Sequence, residues 1–339
     1  VYFMRMFGNP KWVTYGIILL VLLFIPYLLS THDLLLFEYG LTFAIVGLGF
    51  NLLLGYTGLL SFGHGAYFAA GAYAVAMMGK YLPQAYAMEI LIPAALLFSL
   101  LISIIFGFLC VRHTKIFFSI LALSLSMLLF ALLFKLYHLT GGSDGLRVPI
   151  PTMFGMAFKG VRRPLFLAGT YYYFLLAMFT LSFLIMRGIV SSPFGKALQA
   201  IRDNEIRAEL IGIRVRRYRL YAFCISGMYA GLGGALWSFV NGHVTPDLSH
   251  WVFSGEIVYM TLLGGFGIVE GPVVGAMIFT YLKLYAMGNT EYWMFVIGAT
   301  LIILVLLLPN GVAGGATALW TKIKNKRLTA ENAENAGKN

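Results

Sequence analysis

The sequence predicts an all-α integral membrane protein of about ten transmembrane helices, with the N-terminus and the C-terminus cytoplasmic. Three observations carry that expectation. Apolar residues fill 60% of the 339 positions and charged residues only 11%, against roughly a quarter in soluble domains, so a soluble surface could not be covered. The apolar runs are continuous, not alternating as barrel strands require, and backbone in lipid must satisfy its own hydrogen bonds, which leaves helices. Finally, the basic residues gather in a few segments between those runs, the asymmetry that fixes orientation.

The spans follow in order. Val13–Leu29 carries no charge and follows Arg5 and Lys11. No small-x-small cleavage site comes after it, so it reads as a retained first helix, not a secretory signal. Tyr39–Gly79 also lacks charge and is about twice the length of one span. Its middle, Gly55-Tyr56-Thr57-Gly58-Leu59-Leu60-Ser61-Phe62-Gly63-His64-Gly65, divides it into spans two and three around a tight glycine-rich turn. Ile90–Val111 and Ile116–Phe134 are spans four and five. The stretch 138–163 is too rich in Gly, Pro and Arg to cross and forms an outer loop. Pro164–Met186 and Leu220–Val240 are spans six and seven. Stretches near Val252–Phe266 and Val273–Gly288, carrying Glu256 and Lys283, are spans eight and nine; Tyr292–Leu308 is span ten.

Segment 187–219 holds eight Lys or Arg against three acids and is cytoplasmic by the positive-inside rule. Counting outward from it places Arg5 and Lys11 inside, together with the tail residues Lys322, Lys324, Lys326 and Arg327. Lys159, Arg162 and Arg163 dissent on the outer side, outvoted by three segments. Residues 1–320 form one polytopic domain, and 321–339 a polar, basic tail expected to be disordered. The net charge of +11 is therefore loop charge facing the cytoplasm, and nucleic acid is not an expected partner.

Most candidate chemistry has a plain structural reading. Cys110 and Cys224 lie far apart in apolar runs and read as small core residues, with no metal spacing. Gly141-Gly142-Ser143-Asp144-Gly145 matches G-x-S-x-G, but that motif needs a strand before it and a helix after it; on an outer loop it reads as a turn or as a cap on the pathway mouth. Gly265-Phe266-Gly267-Ile268-Val269-Glu270-Gly271 lacks the GK[ST] ending of a phosphate-binding loop, which occurs nowhere in the chain. The chain is therefore not expected to bind ATP or to be an enzyme. His64 reads as hydrogen-bonded structure. Glu256, a carboxylate inside a span, contacts a substrate ammonium, braces a neighbouring helix or sits near the outer mouth. Lys283 reads as snorkelling. Gly71, Gly227, Gly231, Gly233, Gly234 and Gly275 read as close helix contacts.

The segment after Pro193 is the most informative. Phe194, Leu198, Ile201, Ala208 and Ile211 recur at helical spacing, Glu205 falls on the same stripe, and Asp203 and Arg207 are spaced to pair. Such a helix lies flat on the membrane or docks into a groove of a soluble partner.

Ala200-Ile201-Arg202-Asp203-Asn204-Glu205 followed by Ala208-Glu209-Leu210-Ile211-Gly212 resembles the cytoplasmic loop of ATP-binding-cassette (ABC) importer permeases. Glu205-Ile206-Arg207-Ala208 stands where that family reads Glu-Ala-Ala. Four further stretches occur in order: Gly58-Leu59-Leu60-Ser61-Phe62-Gly63-His64-Gly65-Ala66-Tyr67-Phe68, Thr140-Gly141-Gly142-Ser143-Asp144-Gly145-Leu146, Ser192-Pro193-Phe194-Gly195-Lys196-Ala197-Leu198 and Leu263-Gly264-Gly265-Phe266-Gly267. Together they resemble the M-type permease of branched-chain amino acid (Leu/Ile/Val) importers, from about span two to Leu308-Pro309-Asn310-Gly311. That resemblance implies a bacterial plasma (inner) membrane location. It also implies a sister H-type permease, two ABC ATPase subunits that bind the ATP, and a periplasmic or extracellular substrate-binding protein. It assigns ATPase coupling to Lys196, Arg202, Asp203, Glu205, Ala208, Glu209 and Gly212, and charge reversal at Glu205 is expected to break coupling while leaving the fold intact. Ser61, His64, Gly142, Ser143, Asp144 and Glu256 are the candidates for the translocation pathway. Urea, short amides and other small carboxylates are alternative cargoes within the family. Outside it, an ion-gradient-driven transporter using Glu256, or an intramembrane enzyme using Ser61 and His64, are the rival readings.

Overall fold

The computed structural model describes residues 10–113, 115–156, 158, 161–307 and 311–315. Expectations concerning Arg5, Lys159, Leu308–Asn310 and the tail 321–339 lie outside the described residues. The chain is built from long apolar helices: α1 (Pro10–Leu28), α2 (Thr31–Asn51), α3 (His64–Tyr81), α4 (Met88–Cys110), α5 (Lys115–Lys135) and α6 (Tyr172–Ser191). Two short helices follow, α7 (Pro193–Asp203) and α8 (Glu205–Leu210). The second half holds α9 (Val215–Asn241), α10 (Trp251–Gly264), α11 (Gly271–Asn289) and α12 (Trp293–Leu307).

Among the described residues, five helical stretches are long and apolar enough to cross a membrane: Thr31–Tyr56, Met88–Cys110, Ile116–Lys135, Arg163–Ser191 and Val215–Asn241. Burial sorts them into two kinds. The first and last are 72% and 78% buried inside the protein, whereas the other three are only 22–33% buried. α2 and α9 thus form the core of the bundle, and α9 packs along α2, α3 and α4. α4 and α5 present Leu97, Ile105, Phe108, Phe117 and Ile120 outward, the surface expected against lipid.

Close approach at the centre depends on missing side chains. A Cβ on Gly71 of α3 would stand 1.9 Å from the Gly231 carbonyl oxygen of α9, and one on Gly234 would stand 2.0 Å from that of Phe68. Small residues let helix backbones touch where apolar burial gives no driving force between them.

Two boundaries differ from the sequence reading. α2 begins at Thr31, not near Tyr39, because Ser30 caps it by accepting the Asp33 N–H at 3.2 Å. Glu38 therefore sits inside the helix and is fully buried. The tight turn expected after span two is longer: α2 runs on through a π-helical turn, Leu52–Tyr56, and residues 57–63 are irregular before α3 starts. At the end of the bundle opposite the basic segment, β1 (Leu146–Arg147) pairs antiparallel with β2 (His243–Val244). This ties the 138–163 loop to the end of α9.

Candidate functional site

The basic segment folds as two helices, not one. Ser192 opens α7, with Pro193 in its first turn and the Gly195 N–H donated to the Ser192 hydroxyl at 3.4 Å. Asn204 then leaves helical geometry (φ −159°, ψ 107°), and its side-chain oxygen accepts the Arg207 N–H at 3.0 Å. Asparagine thus stops α7 and caps α8. The break redistributes the apolar stripe. Leu198, Ile201 and Ala208 are buried, and Phe194 stacks on Tyr218 at 5.5 Å. Ile211, placed on the same stripe by its spacing, is instead 74% exposed. With Ile206 (71%) and Leu210 (81%) it forms a bare apolar patch. Lys196, Arg202, Asp203, Glu209 and Gly212 are exposed around it, whereas buried Ala208 is core.

Two expected side-chain roles are corrected. Asp203 and Arg207 form no ion pair, because the helix break falls between them. Glu205 is not a free docking residue. Its carboxylate accepts both terminal nitrogens of Arg219, at 2.7 and 2.9 Å, and the Arg219 side chain is only 6% exposed. Glu205 clamps α8 onto α9, so reversing its charge would strand a buried guanidinium and disturb the fold.

Below this segment three backbones meet. Arg202 reaches from the end of α7 to donate to the Gly55 carbonyl at the end of α2, and its guanidinium lies 5.8 Å from the centre of the Phe266 ring. Phe266 belongs to the turn between α10 and α11. Asn51 of α2 binds that same turn twice: its amide nitrogen donates to the Ile268 carbonyl at 2.9 Å, and its oxygen accepts the Gly267 N–H at 3.0 Å. Glu270, at the turn's far end, accepts from Tyr15 of α1 and lies 3.3 Å from Arg187 of α6. The segment Gly265–Gly271 is therefore a turn, as expected, and one held from several helices.

A cavity of about 340 Å³ lies at the other end of α10, lined by Phe130, Asp247, Leu248, His250, Val252, Phe253 and Glu256. It falls in the size range of small-molecule sites. It exists because α10 is short: a 14-residue helix spans ~21 Å, less than the ~30 Å hydrocarbon core. The chain before it folds as a 3-10 turn, Pro246–Ser249, whose Ser249 exchanges hydrogen bonds with Ser126 in the middle of α5. Glu256 accepts from Lys283 of α11 through both oxygens, at 2.6 and 2.7 Å. Lys283 is thus a partner to Glu256 and does not merely snorkel. Asp247 is exposed and makes no ion pair among the described residues. Carboxylates and apolar rings facing one cavity suit a small molecule that carries both an ammonium and an aliphatic group. Sequence reasoning missed Asp247 and His250; the only signal was their place between two spans.

The remaining candidates do not join this cavity. Ser61 and His64 are fully buried. His64 Nε2 lies 2.7 Å from Ser226 Oγ, and Ser226 donates its own proton to the Gly49 carbonyl at 2.6 Å. The imidazole is therefore the donor, and neither Ser61 nor Ser226 is a nucleophile with a base on its proton. Ser61 Oγ only accepts the Gly63 N–H at 3.3 Å. Gly142 is buried, Ser143 and Asp144 are exposed, and Tyr137 donates to Asp144 at 3.1 Å; the motif sits in a 3-10 turn, without the geometry of a nucleophile elbow. Cys110 and Cys224 are free thiols. Sequence reasoning also missed Glu38: both its oxygens are buried without a hydrogen-bond partner among the described residues.

Residues 34–305 match the family model described as branched-chain amino acid transport system / permease component. The chain belongs to that permease family. The permease is 27% identical to the high-affinity branched-chain amino acid transport system permease protein LivM of Escherichia coli K12, over 91% of this chain and 76% of that protein. It is 25% identical to LivH of Salmonella typhimurium, over 81% of this chain and 92% of LivH. A shorter likeness, 30% identity over 34% of the chain, reaches the galactose/methyl galactoside import permease MglC of Haemophilus influenzae. No solved structure matches the permease.

Proposed function

We propose that this chain is the M-type permease subunit of an ABC importer for branched-chain amino acids. It forms the translocation pathway together with a sister H-type permease. The observation that carries the coupling part of this reading is the bare Ile206–Leu210–Ile211 patch on α8. It lies within the most basic segment of a permease-family chain, where a soluble motor would dock. Apolar residues left bare beside charged ones mark an interaction site.

In this account the chain crosses a bacterial inner membrane about ten times with both ends in the cytoplasm. The long apolar helices and the family likeness support a multi-pass protein, and the basic 187–219 segment supports the orientation. One ATPase subunit docks on α7 and α8, around Lys196, Asp203, Glu209 and Gly212, and the second docks on the sister permease. ATP closes them, the docked segment moves, and the bundle opens toward a binding protein outside. Packed bundles respond in this way because they switch between discrete packings, provided the segment binds differently in the two states. Glu256 and Asp247 meet the cargo ammonium in the cavity, Phe130, Leu248 and Val252 its side chain, and the 142–144 turn stands at the outer mouth.

The ion-driven alternative rests on Glu256 and on Glu38, whose buried carboxyl oxygens have no hydrogen-bond partner among the described residues. Extraction of the tagged chain in mild detergent, after expression with its neighbouring genes, tests the importer reading. A second polytopic permease and ATP-binding subunits are expected to co-purify. Recovery of the chain alone, under conditions that keep comparable complexes intact, would contradict it.

A further inference from the structure

We infer that Arg202 and Asn51 form a transmission joint that passes movement of the α7–α8 segment to α2 and, through the Gly265–Glu270 turn, to α10. The inference rests on the reading above, in which ATPases move that segment. Among the described residues, Arg202 is the only side chain of α7 or α8 that makes a hydrogen bond or ring contact to either the end of α2 or this turn. Its two contacts are to different elements: a backbone carbonyl on α2 and an aromatic ring in the turn. Asn51 closes the triangle by bonding α2 to the turn through both the nitrogen and the oxygen of its side-chain amide. No segment of the three can shift alone without breaking a polar contact in a half-buried place.

The glycines at this point are needed for it. Gly58 and Gly267 hold left-handed backbone, φ +72° and +85°. A Cβ on Gly58 would stand 3.3 Å from the Arg202 side chain, and one on Gly267 3.5 Å from its guanidinium. A Cβ on Gly55 would stand 2.2 Å from the Asn51 oxygen and 2.6 Å from the Gly267 nitrogen. Gly55 therefore leaves room for the Asn51 side chain and the Gly267 backbone, a role that turn-making alone does not require.

The joint has a direct consequence at a distance. α10 is a single uninterrupted helix from Gly264, beside the joint, to Trp251, and it carries Glu256 and Val252 into the cavity. A displacement imposed at Phe266 arrives at the cavity along a rigid element, not through a diffuse network. Arg202 is thus a positioning residue: its guanidinium bonds the membrane domain, whereas Lys196, Asp203 and Glu209 stand exposed on α7 and α8.

The test uses the whole complex, with sister permease, ATPases and binding protein, in liposomes, and reads leucine moved per ATP hydrolysed. Arg202→Ala is expected to lower that ratio about tenfold in an assembled complex. Arg202→Lys, which keeps the charge but loses the planar fork that reaches two elements, falls between. Asn51→Ala, acting from the other side, lowers the ratio similarly, and the double variant is no worse than Arg202→Ala alone, because both act through one joint. A ratio within about twofold of wild type in Arg202→Ala, or two losses that multiply in the double variant, would overturn the inference. So would failure of both single variants to assemble, which would make the two residues supports of the fold. A wild-type complex that moves no leucine removes the importer reading itself, and this inference with it.

Discussion

Glu205 and Arg219 are locked together by two hydrogen bonds, 2.7 and 2.9 Å long, that join the short helix α8 to the long buried helix α9. Glu205→Ala leaves the 6%-exposed Arg219 side chain without its carboxylate, an uncompensated burial that costs about 3–5 kcal/mol. The expected outcome is a lowered melting midpoint in detergent and early proteolysis between α7 and α9. Pairing Glu205→Leu with Arg219→Leu should recover most of the loss, since an apolar pair replaces a buried ion pair at little cost.

Leu210 and Ile206 support nothing within the chain, being 81% and 71% exposed. Leu210→Asp should leave the melting midpoint unchanged, as surface substitutions do. It should weaken association with the ATPase subunits by about thirtyfold, the loss of one interface anchor worth about 2 kcal/mol. Quantitative co-purification against wild type measures both halves of this expectation.

Glu256 has two separable jobs. Lys283→Met strands its carboxylate and should destabilise the α10–α11 pair by about 3–5 kcal/mol. Glu256→Leu with Lys283→Met should restore the melting midpoint. Uptake should stay low in that double variant, because the cavity has then lost one of its two carboxylates. Uptake at the wild-type rate would leave Glu256 as a brace between helices and nothing more.

Glu38 holds two carboxyl oxygens with no hydrogen-bond partner among the described residues, and each buried unsatisfied group costs about 1–3 kcal/mol. Glu38→Leu should therefore raise the melting midpoint. A lower midpoint would show that the carboxyl has a partner in the assembled membrane protein.

The class of protein was legible because its cause is global: continuous apolar runs and clustered basic loops are properties of composition. The glycine-rich division near residue 58 and the turn near residue 266 were legible for a local reason, since only glycine holds φ +72° or +85° without strain. What escaped was pairing across the chain. The extension of α2 over Glu38 hid behind a search for uncharged runs. Asparagine is a cap as readily as a helix residue, so spacing alone does not reveal the break at Asn204 that moves Ile211 and Glu205 off the apolar stripe. Glu256 and Lys283 were weighed separately, because nothing in spacing says that a charge on one span answers a charge on the next. Asp247 and His250 could not be found by pattern, for their cavity is made by a helix that stops short.

The most direct test of the central claim is uptake of radiolabelled leucine into liposomes holding the permease with its sister subunit, the ATPases and the binding protein. The account predicts uptake that requires ATP, persists when ion gradients are collapsed, and is lost with Leu210→Asp. Uptake that survives without ATP and vanishes with the ion gradient would contradict it, and would move attention from α8 to Glu38.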